Sequence, residues 1–404
     1  MTTSRLGGGI AAHPAAGPAL DLEVDVVVIG AGLIGCAVTY GLSRAGYHVA
    51  LIDKGKVCSG ASSANFGRIQ IQDSESGAPL DLAMRSAAMF PSFLAGLGFD
   101  VEYEPSGALM VAQTPAEWDA LVEAQQPKCR QGLDVRLLGS DDARVVEPYL
   151  DAGWVCGASY SPNEGQLNPM LYTMALAARS VEMGVKALED CSVEGFDVSG
   201  GRLAGVITSR GRVRCGAAVL CAGAWSHAVG KKAGLELPVE FVMGEALITE
   251  SLPRIVSGYF CLASFFETAH STGQAVSACC TQTRSGNMLV GEATVKMRGD
   301  ALPAAEDERR RNTHFAPRAI AREVLRFFPT IAQANVIRTW RTFAPFTSDH
   351  RPVLGMSRKL DGLAVCAGFK STVVVTPLLS WLVVDLLKHG NRAIPREIAH
   401  GCTF

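Results

Sequence analysis

The amino-acid sequence predicts an α/β protein of two interleaved domains, one with a parallel sheet flanked by helices and one α+β with a mixed or antiparallel sheet. Three observations carry this. A buried strand, a glycine-rich turn, an amphipathic helix and a second strand follow one another between residues 24 and 53. A further helix near residue 169 is followed by strand signals up to residue 223, and from Pro238 to Ile337 the pattern changes to irregular strands. The 404 residues exceed a minimal domain. The parallel half is assigned to 23–95, 165–237 and 338–404, and the other half to 96–164 and 238–337.

Residues 1–22, rich in Gly, Ala and Pro and without the apolar core of a leader, read as a flexible tail. Val24 to Ile29 forms the first buried strand, Leu33 to Ala45 an amphipathic helix stopped by Gly46, and His48 to Asp53 the second strand. Asn168 and Pro169 open another helix, with Leu171, Met174, Ala175 and Ala178 as its apolar face and Gly184 as its stop. Strands follow around Gly200 and Gly201, then through Val213 to Gly223. A charged segment, Glu306 to Arg311, precedes a helix near Pro317 to Phe328. The apolar run from Thr372 to Leu387 is short for a membrane span and is interrupted by Pro377 and Asp385. It reads as a strand and then a helix, with Thr376 as N-cap, Pro377 at the first position, and Lys388, His389 and Gly390 at its end.

With 48% apolar and 19% charged residues and a formal charge of −2, the composition argues against an electrostatic nucleic-acid binder. The 12 cysteines show no CxxC pairs. They read as reduced thiols in a cytoplasmic protein, with neither a disulfide framework nor a metal site. The histidines show no ligand spacing.

Gly30-Ala31-Gly32-Leu33-Ile34-Gly35 is a GxGxxG turn between strand and helix, and Asp53 closes the second strand. The three glycines serve the tight turn, the approach of a pyrophosphate to the backbone, and helix–strand packing. The helix N-terminus offers free N–H groups to the phosphates, and Asp53 suits a ribose without a 2′-phosphate. This is a Rossmann-like dinucleotide site. The loop Gly60-Ala61-Ser62-Ser63-Ala64-Asn65-Phe66-Gly67-Arg68 adds hydroxyl and amide donors that a plain NAD site rarely needs, so it favours FAD over NAD.

Taken with Val219 to Ser226 (VLCAGAWS) and Thr347 to Gly355 (TSDHRPVLG), these segments resemble the D-amino-acid oxidase superfamily of FAD-dependent oxidoreductases, in the same order and over nearly the whole chain. The group includes glycine and sarcosine oxidases. The Q-x-x-x-G-x-x-L-x-G hairpin at Gln282 to Gly291 is most similar to the FAD subunits of opine oxidase, D-hydroxyproline dehydrogenase and hydrogen cyanide synthase. The resemblance implies a D-amino-acid oxidase-like two-domain fold and non-covalent FAD. It also implies a second redox subunit in a hetero-oligomer, with FMN or an iron–sulfur cluster at or in that partner. No integral membrane segment is expected, and any membrane association is expected to come through the electron-transfer partners.

Carried over residue by residue, the flavin contacts fall on Gly30, Gly32, Leu33, Ile34, Gly35, Asp53, Lys54, Ser62, Ser63, Asn65, Phe66 and Gly67. Val193 meets the adenine, Gly223 lies in the VLCAGAWS segment, and Gly368, Phe369, Lys370, Ser371 and Thr372 lie against the pyrimidine end of the ring. One departure stands out: where many relatives place a carboxylate-binding arginine after Trp-Ala-Gly-Leu, this chain has Ala344 in Trp340-Arg341-Thr342-Phe343-Ala344-Pro345. A carboxylate there loses a bidentate partner. The remaining candidates are Lys370, as in the sarcosine-oxidase branch, Arg68 beyond the phosphate loop, and Arg341, which strand alternation sends to the opposite face from Ala344. His350 sits inside the Thr347 to Gly355 motif.

The implied activity is oxidation of the C–N bond of an amino acid or an N-substituted, opine- or imino-acid-like amine. Hydride leaves for flavin N5 and the resulting imine is hydrolysed. A stand-alone oxidase making hydrogen peroxide and a non-catalytic electron-relay subunit are the alternatives.

Overall fold

The computed structural model describes residues 20–264, 274–296, 315–395 and 397–398. The first half contains β1 (Leu20–Glu23), β2 (Val26–Ile29), α1 (Leu33–Arg44), β3 (Val49–Ile52), β4 (Arg68–Ile69), α2 (Ala78–Leu97), β5 (Ala108–Ala112), α3 (Pro115–Arg130), β6 (Arg136–Leu138), α4 (Ser140–Val146), β7 (Gly157–Ser161), β8 (Gly165–Gln166), α5 (Pro169–Glu182) and β9 (Lys186–Leu188). Then follow β10 (Val193–Ser199), β11 (Arg202–Thr208), β12 (Gly211–Arg214), β13 (Ala217–Leu220), α6 (Ser226–Lys231), β14 (Glu240–Ser251), β15 (Tyr259–Leu262), β16 (Gln274–Gln282), β17 (Asn287–Lys296), α7 (Ala316–Leu325), β18 (Val336–Phe346), β19 (Val353–Met356), β20 (Leu363–Ala367) and α8 (Thr372–His389).

A six-stranded sheet of order β19-β20-β13-β2-β3-β9 is parallel except at its β19 edge. Its inner strands β13, β2 and β3 and the neighbouring β20 are apolar on both faces because both are covered. One face packs on α1, α2, α5 and α8 through residues such as Val28, Leu51, Tyr172 and Val374. The other meets the four-stranded sheet β1-β12-β11-β10 through Val27, Ile52, Val206 and Val213.

An eight-stranded mixed sheet, β18-β14-β17-β16-β15-β5-β7-β6, forms the second half. Strand alternation gives it two different faces. Leu109, Phe260, Cys280 and Val290 pack on Ile320 of α7 and on Phe327 and Phe328. Met110, Ala246, Tyr259, Cys261 and Cys279 point the other way, against Phe66 and Trp340.

Several expectations change. Leu20–Glu23, the end of the expected tail, is an edge strand paired in parallel with β12; residues 1–19 and the charged segment Glu306 to Arg311 lie outside the described residues. Residues 338–346 belong to the eight-stranded sheet through β18, so this boundary falls after Phe346. The region expected as irregular contains the long strands β14 and β17. Val213 to Gly223 divides between two sheets at Gly216. The buried side of α5 is Tyr172, Thr173, Leu176 and Ser180 with Ala175, while Leu171, Met174 and Ala178 are exposed. The alanine-rich helix supports two apolar stripes, and the bulky Tyr172 and Leu176 take the core.

The segment Thr372 to Val375 is helical and not a strand, because α8 starts from Ser371 and carries Pro377 inside it. Pro377 cannot donate to the Val373 carbonyl four residues back. The Thr376 hydroxyl donates to that oxygen instead, at 2.7 Å, and the Leu378 N–H donates to Ser86 Oγ at 3.1 Å. By length and composition the helix spanning 372–393 is apolar enough to cross a bilayer, and 61% of its most apolar window is buried.

Candidate active site

The cradle begins where β2 turns into α1. Gly30 has φ +109°, and a side chain there would strike the Cys221 carbonyl; one at Gly35 would overlap the Gly30 carbonyl. The α1 N-cap is Gly32, which has no side chain to occupy the helix N–H groups. Ser62 Oγ approaches from the following loop and accepts the Leu33 N–H at 2.7 Å. Asp53 fastens the turn, accepting the Ala31 and Gly55 N–H groups on separate oxygens, each at 2.7 Å. Each oxygen keeps a lone pair for a ribose hydroxyl. Lys54 Nζ lies 3.5 Å over the Trp225 ring, beside the turn that begins at Gly223. Val193 is buried, and its carbonyl accepts Lys232 Nζ at 2.7 Å.

Two of the expected cofactor residues shape the loop itself. Asn65 donates to the Ser62 carbonyl at 2.8 Å and accepts the Gly67 N–H at 2.8 Å, and Ser63 Oγ donates to the Gly60 carbonyl at 3.0 Å. The groups left facing the helix end are small and polar, and the backbone there is bare. The cradle therefore fits a dinucleotide diphosphate: Gly30, Gly32 and Gly35 admit it, α1 and Ser62 supply donors, and Asp53 takes the ribose.

At the other end, Gly368 has φ +73° and Phe369 is buried. Lys370 Nζ donates to the Asp73 carbonyl at 2.7 Å and lies 3.7 Å from the Glu75 carboxylate. Ser371, at φ +50°, donates to Asp73 Oδ2 at 2.8 Å, and Thr372 Oγ1 donates to the Phe369 carbonyl at 3.4 Å. His350 shares this cleft, and burial followed by the charge of Lys370 lowers its pKa.

Arg68 belongs to a different group. Its Nη1 donates to the Tyr259 hydroxyl, and its guanidinium lies 5.8 Å from the Phe66 ring centre. Burial works against its charge, but Tyr259, Cys279, Glu292 and Cys261 together outweigh that effect and raise its pKa. The opposing wall comes from β18: Trp340, Thr342 and Ala344 share a face, and Trp340 Nε1 donates to the Ala64 carbonyl at 3.0 Å. Arg341 is turned away, its Nη1 3.8 Å from Met243 Sδ on the side of Phe343. Thus the structure brings the phosphate loop, Arg68 and the Trp340 face together, and puts Lys370 and His350 with Asp73 and Glu75.

Sequence reasoning did not find Tyr259 or Glu292 at Arg68, or the buried Glu164 behind the 71–73 segment. Glu164 accepts the Ile71 and Gln72 N–H groups at 2.8 and 2.5 Å, and burial pushes its pKa up to about 8. None of the three stands in a local motif. Only strand alternation marks Tyr259 as sharing the Cys261 face.

The profile of the family described as FAD dependent oxidoreductase (DAO) matches residues 25–386. The chain belongs to this family. It is an FAD-dependent oxidoreductase. The glycine oxidase of Geobacillus kaustophilus is 29% identical over 378 residues, covering 91% of this chain and 94% of that protein. Its crystal structure superposes with a TM-score of 0.81 at 26% identity over 91% and 95% of the two chains. A hydrogen cyanide synthase subunit of Pseudomonas aeruginosa is 25% identical over 93% of this chain and 94% of its own length. The beta subunit of an Arthrobacter sarcosine oxidase is 25% identical over 88% and 86%. Among the described residues, eleven cysteines form no disulfide and no group of side chains suits a metal ion.

Proposed function

We propose that the chain oxidises the C–N bond of an amino acid, most suitably an N-substituted one, as the FAD-carrying subunit of a heteromeric dehydrogenase. The observation that carries this is the substrate wall: half-buried Arg68 packs against Tyr259 opposite a β18 face where Ala344 leaves room. FAD, when bound, supplies the two-electron acceptor for the hydride leaving the carbon beside nitrogen.

In this reading Arg68 holds the substrate carboxylate, and its permanent charge in a half-buried wall makes that a charge-assisted contact. Trp340 and Phe66 exclude water from the reacting carbon. The space beside Ala344 takes the nitrogen substituent. Lys370, fixed on Asp73, supplies positive potential near the start of α8 and leaves carboxylate binding to Arg68. The heteromeric role draws on the subunits of sarcosine oxidase and hydrogen cyanide synthase among the relatives. Similarity to glycine oxidase along nearly its whole length favours a second reading, a stand-alone oxidase.

Anaerobic mixing of the yellow holoprotein with amino acids and N-alkyl amino acids tests the chemistry, since bleaching of the flavin reports substrate oxidation. Arg68→Met is expected to weaken substrate binding about 10- to 100-fold, and Lys370→Met by less. Equal losses in the two variants would refute the division of roles. Stoichiometric peroxide from the isolated chain would establish the oxidase reading, and a co-purifying redox subunit the dehydrogenase one.

A further inference from the structure

One acidic side chain faces the same chamber as Arg68 and has no part in the assignments above. On β14, the consecutive residues Glu245 and Ala246 pair with Ala293 and Gly291 of β17, so Glu292 is the extra residue of a β-bulge. Bulges re-aim a side chain, and they are common beside active sites. Here the bulge sends Glu292 towards Gly244: a side chain carbon at that glycine would lie 3.9 Å from Glu292 Oε2. Gly244 pairs with Thr342, on the Trp340 and Ala344 face. The neighbouring Gly291 packs against the Phe66 ring, which closes the same chamber.

The charged and titratable groups facing this carboxylate and its neighbours are Arg68 of β4, Tyr259 and Cys261 of β15, and Cys279 of β16. Burial raises the Glu292 pKa, and Arg68 draws it back. The wall thus carries one fixed cation and one carboxylate on the side where the flavin is to bind. A zwitterion offers the complementary pair: its carboxylate to Arg68 and its ammonium to Glu292.

We infer that Glu292 receives the ammonium group of the substrate, so that the site selects amino acids and their N-alkyl derivatives over plain carboxylic acids of the same shape. This rests on the amine-oxidising reading. A carboxylate on an N–H of a cationic amine is a charge-assisted contact, strong where water is excluded. It fixes the nitrogen while Arg68 fixes the other end, and two fixed points orient the carbon between them.

Two ligand pairs separate the charge from the shape: sarcosine against methoxyacetate, and iminodiacetate against oxydiacetate, each pair differing by nitrogen for oxygen. Affinities are read on the full-length holoprotein from flavin absorbance, anaerobically for the amines. In Glu292→Gln the amines are expected to bind about 10- to 100-fold more weakly, whereas the ethers bind as well or better because a like charge is gone. FAD content stays at the wild-type level, and Glu292→Asp recovers part of the amine affinity. Parallel loss for both members of each pair would show that Glu292 only maintains the wall, and unchanged amine affinity would remove it from the site; either result overturns the inference. Wild-type protein that binds the ethers but neither amine overturns the inference alone if other amines bleach the flavin. Failure of all amines to bleach it overturns the amine-oxidising reading as well.

Discussion

Gly30, Gly32, Gly35, Asp53 and Ser62 all lie within 33 positions of one another, whereas Phe66, Arg68, Tyr259, Glu292 and Trp340 are drawn from across the chain. The first group acts mainly through bare backbone and helix N–H groups. The second acts through side chains that different strands bring to one face. Backbone sites need a fixed local geometry and leave a motif. Side-chain walls need only a face and a register, and so leave each strand free to vary.

The largest effect is expected where the cradle is most purely backbone. A methyl group at Gly35 overlaps the Gly30 carbonyl, and neither atom can move without opening the turn. Gly35→Ala should therefore cost roughly 3 kcal/mol or more and yield protein with little bound flavin. Flavin absorbance per chain and urea unfolding measure the two losses. A variant as yellow and as stable as wild type would mean that side chains hold the dinucleotide.

The next prediction concerns the seam behind the chamber. Buried Glu164 accepts two N–H groups on Oε1, and its Oε2 has no partner. Its carboxyl is raised from 4.5 to about 8, so the folded protein holds a proton that the unfolded chain releases. The stabilisation is complete below the unfolded pKa and is lost as pH rises towards about 8. Glu164→Gln keeps the Oε1 acceptor and removes the titration. Its stability should stay flat between about pH 5 and pH 8 while that of the wild type falls, the gap reaching roughly 4 kcal/mol at pH 8. Parallel unfolding curves at the two pH values would place the charge elsewhere.

The same contrast explains what the sequence made legible. The β2–α1–β3 unit and the α5 N-cap are written in short-range chemistry: Asn168 accepts the Met170 and Leu171 N–H groups at 3.2 Å, as its position before Pro169 announces. Arg341 was legible too, since alternation alone sends it away from Trp340 and Ala344. Glu292 was not, because a bulge breaks that alternation and only the paired strand β14 reveals it. The extent of α8 was hidden for another reason. Thr372 to Val375 has strand propensity, and burial among α1 and α2 overrides it.

Helix α8 also shows that the cradle half is not built from backbone alone. Pro377 leaves the Val373 carbonyl without its helical donor, and the Thr376 hydroxyl takes that place while lying 2.9 Å from the Tyr172 hydroxyl of α5. Thr376→Val strips the carbonyl of its donor and removes the link to α5. The expected cost is about 1–2 kcal/mol, with flavin content unchanged because the cradle is elsewhere. The explanation has a sharper consequence in a double-mutant cycle. Ala at 377 restores an N–H aimed at Val373, so Pro377→Ala should stabilise the Thr376→Val background more than it does the wild type, by about 1 kcal/mol. Strict additivity of the two changes in urea unfolding would show that the hydroxyl serves Tyr172 and not the broken turn.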